Sequence, residues 1–427
     1  MRPLYYIYIY NISISYPLIH LYISLYIHLL KQIKKKNSSF QNIINNQMML
    51  TIKMINLFLL SLLSISSAQP LPKLLASLNK DPTTSLYTML LNSKDPYVVD
   101  IAAPFSWRRC PSVPRPAVFC FTAECTQAQY LPSPCPPPPT SIAIPCKCMV
   151  TPRNPRTGSC EPAQLTYTNL TVQGSHFIMS DIYLSCAPNP LFKSLPKGVV
   201  GLASLSLAPL SLQNQFSGRL PRLTRGFAMC LPSTSSRNGV ISFGNETHHL
   251  LSYTPLLTNP KNADYAIGIK GLSVGTSSVS AMSPLEGIRL STVVPYTTLA
   301  TDLYTKFVEV FEEGMKGVPK MKSVEPFTAC YEASAVVDGA RVPRIDLEFD
   351  GGKNWTILGA NSMKRVSGDT ACLAFVDGGA AAALKIVIGA FQMEDNLLVF
   401  DLDRSRLGFS SSLLVEGMSC SNFKFTT

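Results

Sequence analysis

Not one aspartate or glutamate occurs in the first 68 residues, and no cysteine before Cys110. Further absences remove whole classes of chemistry. No Cys/His cluster carries zinc-ligand spacing, so no metal site is expected. No G-x-S-x-G elbow and no phosphate-binding loop is present, which removes serine-hydrolase and nucleotide-dependent readings; no cofactor is expected. Lys and Arg are dispersed without a basic stripe interleaved with aromatics, so nucleic acid is not an expected partner. Beyond the leader the only histidines are His176, His248 and His249, and in extended chain the adjacent pair should point in different directions. Sustained helical periodicity is scarce too. With 33 prolines, that favours short strands and loops over a helical bundle.

What is present begins with an unusual leader. Residues 1–47 form a Tyr/Ile/Leu/Asn/Lys tract holding seven of the 17 tyrosines. Its apolar run from Leu4 to Leu30 is long enough to span a bilayer. The segment "MINLFLLSLLSISSA" fits export better: Lys53 precedes it, an apolar stretch runs from Ile55 to Ile65, and Ser66 and Ala68 supply a small-x-small end. Residues 48–68 are therefore expected to be a signal peptide and residues 1–47 an over-extended start, leaving no membrane segment in the mature chain.

The 12 cysteines, at positions Cys110, Cys120, Cys125, Cys135, Cys146, Cys148, Cys160, Cys186, Cys230, Cys330, Cys372 and Cys420, are even in number and follow the export signal. They are expected to form disulfides in an extracellular or cell-wall compartment, in a pairing that spacing does not reveal. Sequons at Asn169, Asn245 and Asn354 agree with secretion. The chain carries +11, but six of its 37 basic residues and none of its 26 acidic ones lie in the first 68 positions, leaving 31 against 26, a net +5, for the remainder. Such a modest excess suits solubility or attraction to acidic polysaccharide.

After Gln69 the chain, at 46% hydrophobic content overall, reads as two lobes of short strands. "SLYTMLLN", "YVVDIA", "LTYTNLTV", "FAMCL", "GVISFG", "YAIGIKGLSVG", "RIDLEF", "WTILGA", "CLAFV", "KIVIGAF" and "LLVFDL" are β-branched or aromatic runs bounded by Gly, Pro, Asn or Ser. The Pro/Cys-rich stretch from Cys110 to Cys160 should be a disulfide-pinned surface region, because proline lacks a ladder donor. One helix is expected near "TDLYTKFVEVFEEGM", with Leu299, Leu303, Phe307 and Phe311 on one face, Thr301 as cap and Gly314 as stop. There is also an internal echo. Asp100 is followed by Pro104, Phe105 and Ser106, and Ser291 at the same offsets by Pro295, Tyr296 and Thr297; "GVVGLA" and "IVIGAF" follow in the same order.

These features resemble the pepsin-like aspartic proteases, and more closely their plant subgroup of cereal xylanase inhibitors, extracellular dermal glycoprotein, basic 7S globulin and γ-conglutin. The resemblance is densest in "FAMCLPS", "LSTVVPYTTL", "VPRIDLEFDGGKNWTILGANSM" and "VIGAFQMEDNLLVFDLDRSRLGFSSSLL". It implies an all-β, bilobal pepsin-like fold with a few short helices, an N-terminal lobe over 69–260 and a C-terminal lobe over 261–427. Active members use two carboxylates that share one proton, one as base and one as acid. Here the first turn reads Asp100-Ile101-Ala102-Ala103 in place of D-T-G-S, and Ser291 stands where the second aspartate is expected. The flap stretch "VTPRNPRTGSC" carries proline and arginine where active relatives carry tyrosine. Asp100 and Ser291 are thus read as vestigial dyad positions, Asp100 as a turn residue accepting backbone hydrogen bonds, and Trp107 as core packing.

The resemblance further implies a protein partner, a cell-wall glycoside hydrolase of xylanase or xyloglucan-endoglucanase type. In the inhibitors a basic or histidine side chain shortly before the last cysteine engages the target's carboxylates. Here that place holds Glu416, with Arg404, Arg406 and Lys424 as nearby cations. A storage or ligand-binding role like that of the globulins, and residual aspartic endopeptidase activity, are the alternatives.

Overall fold

The computed structural model describes residues 49–51, 53–54 and 74–423, apart from 111–115, 132–133, 139–144, 174, 176, 245, 247, 258, 260–261, 283–286, 337–340 and 382–384. The leader tract, most of the export signal, His176, Asn245 and Lys424 lie outside the described residues. The chain divides into two compact units, Met1–Pro70 and Leu71–Thr427. Among the described residues no helix is long and apolar enough to cross a membrane.

The second unit has the expected mostly-β, bilobal architecture. Its halves are joined by a run of antiparallel strands in one large mixed sheet. Leu74–Lys80 pairs with Gly239–Phe243, which pairs with Gly226–Cys230. Gly226–Cys230 then pairs with Leu397–Asp401 from the other end of the chain, followed by Arg406–Phe409 and Ser252–Leu257. All five residues of Gly226–Cys230 and of Leu397–Asp401 are buried, as for strands covered on both faces.

The echo in the sequence corresponds to a repeated strand pattern. In the first lobe Asp95–Asp100 runs parallel to Gly201–Ser204, which also pairs antiparallel with Trp107–Arg109; that short strand runs parallel to Ile178–Ala187. In the second lobe Ile288–Leu290 runs parallel to Ile386–Ile388, which pairs antiparallel with Thr297–Leu299; this one runs parallel to Phe375–Asp377. The glycine closing each apolar-apolar-Gly segment is required by close approach. A methyl on Gly201 would lie 2.1 Å from the Trp107 carbonyl oxygen, and one on Gly389 2.3 Å from the Tyr296 carbonyl carbon.

The expected helix forms as Thr301–Gly314, with Leu303, Phe307 and Phe311 buried at four-residue spacing and Phe307 packed on Phe375 at 4.7 Å. Its ends differ from expectation. Ala300 occupies the N-cap without a side-chain bond, while the Thr301 hydroxyl donates instead to Asp377 Oδ1 at 2.7 Å; Gly314 is the last helical residue. Leu299 belongs to the preceding strand.

All twelve cysteines are paired: Cys110–Cys186, Cys120–Cys146, Cys125–Cys148, Cys135–Cys160, Cys230–Cys420 and Cys330–Cys372. Three of the bridges lie wholly inside the Pro/Cys-rich stretch, as its composition implies. That stretch also holds an unexpected helix, Ala123–Tyr130, capped by Thr122, whose side chain accepts from Cys125 N–H. His248 and His249 do not diverge. Their rings stack at 4.4 Å, because the chain turns here, Leu251 N–H donating to His248 C=O at 3.2 Å, rather than running extended.

Candidate functional site

The two parallel strand pairs carry Asp100 and Ser291 to the wall of a single cavity of about 410 Å³. Both residues are buried. Asp100 Oδ1 accepts the Ala102 N–H at 2.8 Å, the turn role expected of it. Burial pushes its carboxyl up to about 6; the Ala102 N–H opposes, Asp264 pushes the same way as burial, and the Ala103 N–H and Arg153 oppose further. Ser291 Oγ accepts the N–H groups of Val293 at 3.3 Å and Val294 at 3.2 Å. Its lone pairs are thereby engaged by the turn, which leaves the O–H as its free donor.

Each turn is buttressed. Ser204 donates its hydroxyl to Ala103 C=O at 2.6 Å, and its N–H to Ser106 Oγ at 2.9 Å. Across the lobes, Thr292 donates its hydroxyl to Val99 C=O at 2.8 Å. The matching position in the first lobe is Ile101, fully buried in the hydrophobic core, so the brace is one-sided. Sequence reasoning identified Ile101 and missed Thr292, although the echo places it one residue after Ser291 as Ile101 follows Asp100. Thr292→Val should lower unfolding free energy by about 1–2 kcal/mol, the usual cost of one buried bond lost with its partner left in place. Thr292→Ser should retain most of it. Guanidinium unfolding of the two variants checks this, and equal midpoints for both would dismiss the brace.

The flap stretch forms one wall. Asn154, also missed from sequence, is completely buried and saturated. Its amide donates to Leu191 C=O at 2.9 Å and Lys193 C=O at 2.8 Å, while its oxygen accepts from Arg156 N–H at 2.7 Å and Thr157 N–H at 3.0 Å. Cys135–Cys160 ties the same hairpin to the proline-rich segment. Opposite it, Arg289 pairs with Asp264 at 2.9 Å. Trp107 is core packing, edge-on to Phe192 at 5.3 Å, but it also lines the cavity. A second cavity of about 470 Å³ shares Pro104, Phe105, Leu131 and Thr151 with the first and continues to Pro136, Pro137 and Pro138.

Chemically the cavity joins the Asp100 carboxyl and the Ser291 hydroxyl with the arginine-paired carboxyl of Asp264 and the cation of Arg153, beside apolar side chains. Asp100 can hold a proton or accept a hydrogen bond there.

The cleft does not gather the residues expected near the C-terminus. Arg404 and Arg406 both bind the buried Asp401, at 3.1 Å and 2.9 Å, and Arg406 lies over the Tyr253 ring at 4.1 Å. Glu416 is exposed at the end of the turn Leu413–Glu416, beside exposed Leu414 and Val415. None of Arg404, Arg406, Glu416, Leu414 and Val415 lines either cavity. Asn169 and Asn354 are exposed on strands.

The profile of the xylanase inhibitor N-terminal domain matches residues 87–245, and that of the xylanase inhibitor C-terminal domain residues 264–411. A rice protein named Chitinase CLP, from Oryza sativa subsp. japonica, is 36% identical over 390 residues, covering 83% of this chain and 91% of its own. The crystal structure of edgp superposes with a TM-score of 0.74 at 31% identity, covering 84% of this chain and 100% of that one. Conglutin gamma, described as a unique basic 7S globulin from lupine seeds, gives 0.73 at 30% identity with the same coverage.

Proposed function

The chain belongs to the xylanase-inhibitor family of pepsin-like proteins, which includes conglutin gamma and basic 7S globulin, and from that premise we propose that it has no proteolytic activity and acts by binding a cell-wall glycoside hydrolase. The observation that carries the first half is the hydroxyl of Ser291 where a second carboxyl would be needed, held by two backbone N–H groups. A serine does not titrate in the working range, and the missing acid/base partner alone accounts for a rate loss on the order of 10²–10⁴. The protein is secreted after cleavage near Ala68, with an N-terminal lobe over 69–260 and a C-terminal lobe over 261–427. Asn169, Asn245 and Asn354 carry glycans.

For the partner, the turn Leu413–Glu416 offers an apolar tip, with Val415 65% exposed, next to an acidic side chain. Glu416 would be repelled by a target's catalytic carboxylates, and Arg404 and Arg406 are committed to Asp401. The contact therefore fits an apolar or cationic rim of the target rather than its catalytic pair. The test is a titration of mature protein against xylanases and xyloglucan-cleaving endoglucanases, following residual activity. Stoichiometric loss is expected for one class, weakened at least tenfold in Val415→Asp. No loss at micromolar excess across the panel would sink hydrolase inhibition.

A storage or ligand-binding role is the second reading, favoured by Glu416 and by the likeness to conglutin gamma of lupine seeds. Residual aspartic endopeptidase activity would require acid-optimal proteolysis abolished by Asp100→Asn, and none is expected.

A further inference from the structure

Asp100 is buried on the cavity wall, yet its direct partners are backbone N–H groups and not a cation. That is an unusual place to leave a carboxyl, because a buried carboxylate is normally matched by a positive group. The charged groups around it do not supply one. Arg289 is engaged by Asp264 at 2.9 Å and is committed to that carboxylate. Arg153 reaches the cavity from the flap hairpin but is itself exposed, where water screens it. Asp264 adds negative potential. The floor thus presents one unmatched acceptor, Asp100, and one hydroxyl donor, Ser291.

Next to this floor lies a compartment of different character. Phe105, Leu131, Pro136, Pro137 and Pro138 line the second cavity, which adjoins the first through the shared residues Pro104, Phe105, Leu131 and Thr151. Both walls are held in advance, the proline segment by Cys135–Cys160 and the flap hairpin by Asn154. Rigid walls lower the ordering cost of binding a small ligand.

We infer that this cleft is a binding site for a small organic amine with an apolar or aromatic body, its ammonium on Asp100 and its body in the proline-walled compartment. The inference is independent of the hydrolase contact proposed for the C-terminal turn, whose residues line neither cavity. Binding is linked to protons: an ammonium selects the ionised carboxyl, so below the folded-state pKa of about 6 the ligand must displace a proton and loses affinity by up to tenfold per pH unit.

Calorimetry with 2-phenylethylamine, 2-phenylethanol and 3-phenylpropanoate on the mature protein tests this. The amine is expected to bind at least tenfold more tightly than the alcohol at pH 7, as for a charge-assisted bond in a desolvated site. Between pH 7 and pH 4 its affinity should fall at least tenfold while that of the alcohol stays level. Asp100→Asn should bring amine and alcohol together at pH 7. Leu131→Arg, on a half-exposed position lining both compartments, should weaken the amine at least tenfold without disturbing the fold. Equal binding of amine and alcohol by the wild type would overturn the inference. A preference for the carboxylate would do so as well and assign the site to Arg153. The pH series on the unmodified protein reads the carboxyl even if the Asp100 variant fails to fold.

Discussion

Asp100→Asn is expected to abolish a loss of stability that the wild-type chain suffers as pH rises from about 4 to about 6. The sign follows from the direction of the shift. Burial lifts the carboxyl to about 6 in the folded protein, against an ordinary value of 3.8. Below the lower value it is protonated in both states and contributes no difference. Between the two values the folded state keeps a proton that the unfolded state has released, so unfolding becomes steadily easier; above about 6 both are ionised and the penalty is complete. A shift of this size corresponds to about 3 kcal/mol. Asparagine retains an oxygen for the Ala102 N–H but turns an amide towards Ala103, so the variant carries a constant offset. The diagnostic quantity is the slope with pH, not the absolute stability. Glu394, also raised by burial, contributes a slope of the same sign in both proteins and cancels in the difference. Guanidinium midpoints of the two proteins at intervals from pH 3.5 to pH 7.5 measure it. Parallel curves would mean that Asp100 is hydrated and not buried.

The parts of this protein legible in its sequence are those where the signal is local. Each β-branched or aromatic run bounded by turn residues contains strand, and the repeat of Asp100 and Ser291 with their following apolar-apolar-Gly segments locates both parallel pairs. One strand that escaped notice has damaged alternation. Ile178–Ala187 contains Asp181 at a positive φ of 55° and pairs with its neighbour through a register shift between Thr168 and Leu170. Three residues that hold the cleft and the lobes were not legible because their meaning lies in partners far away in sequence. Asn154 binds carbonyls 37 and 39 residues on, Thr292 one 193 residues back, and Glu394 a lysine 314 residues back. The histidine pair was misread for a related reason: extended geometry was assumed where a turn stands.

Glu394→Ala is expected to be the most damaging of these substitutions, at about 3–5 kcal/mol, because it leaves a buried ammonium unpaired. Lys80 Nζ lies 2.6 Å from Glu394 Oε1, and the two side chains are only 9% and 4% exposed. The Tyr87 hydroxyl donates to the same oxygen at 2.6 Å. Once the carboxylate is gone, Lys80 keeps only the Ser233 carbonyl at 3.0 Å, and the Tyr87 hydroxyl loses its acceptor. The carboxyl is itself raised by burial, against the pull of Lys80, Tyr87 and Lys364, so the site does not favour a charge as such. It favours the matched set. Replacing the whole set by apolar groups of similar volume, as Lys80→Met with Tyr87→Phe and Glu394→Leu, should therefore recover most of the loss. Unfolding midpoints of the single and triple variants decide between this and a solvated pair, for which Glu394→Ala would cost under about 1 kcal/mol. Lys80 ends the first strand of the shared sheet and Glu394 precedes its strand from the far end of the chain, Leu397–Asp401. The ion pair thus fastens side chains across the same junction that the backbone ladder crosses, and each partner makes the other's burial tolerable.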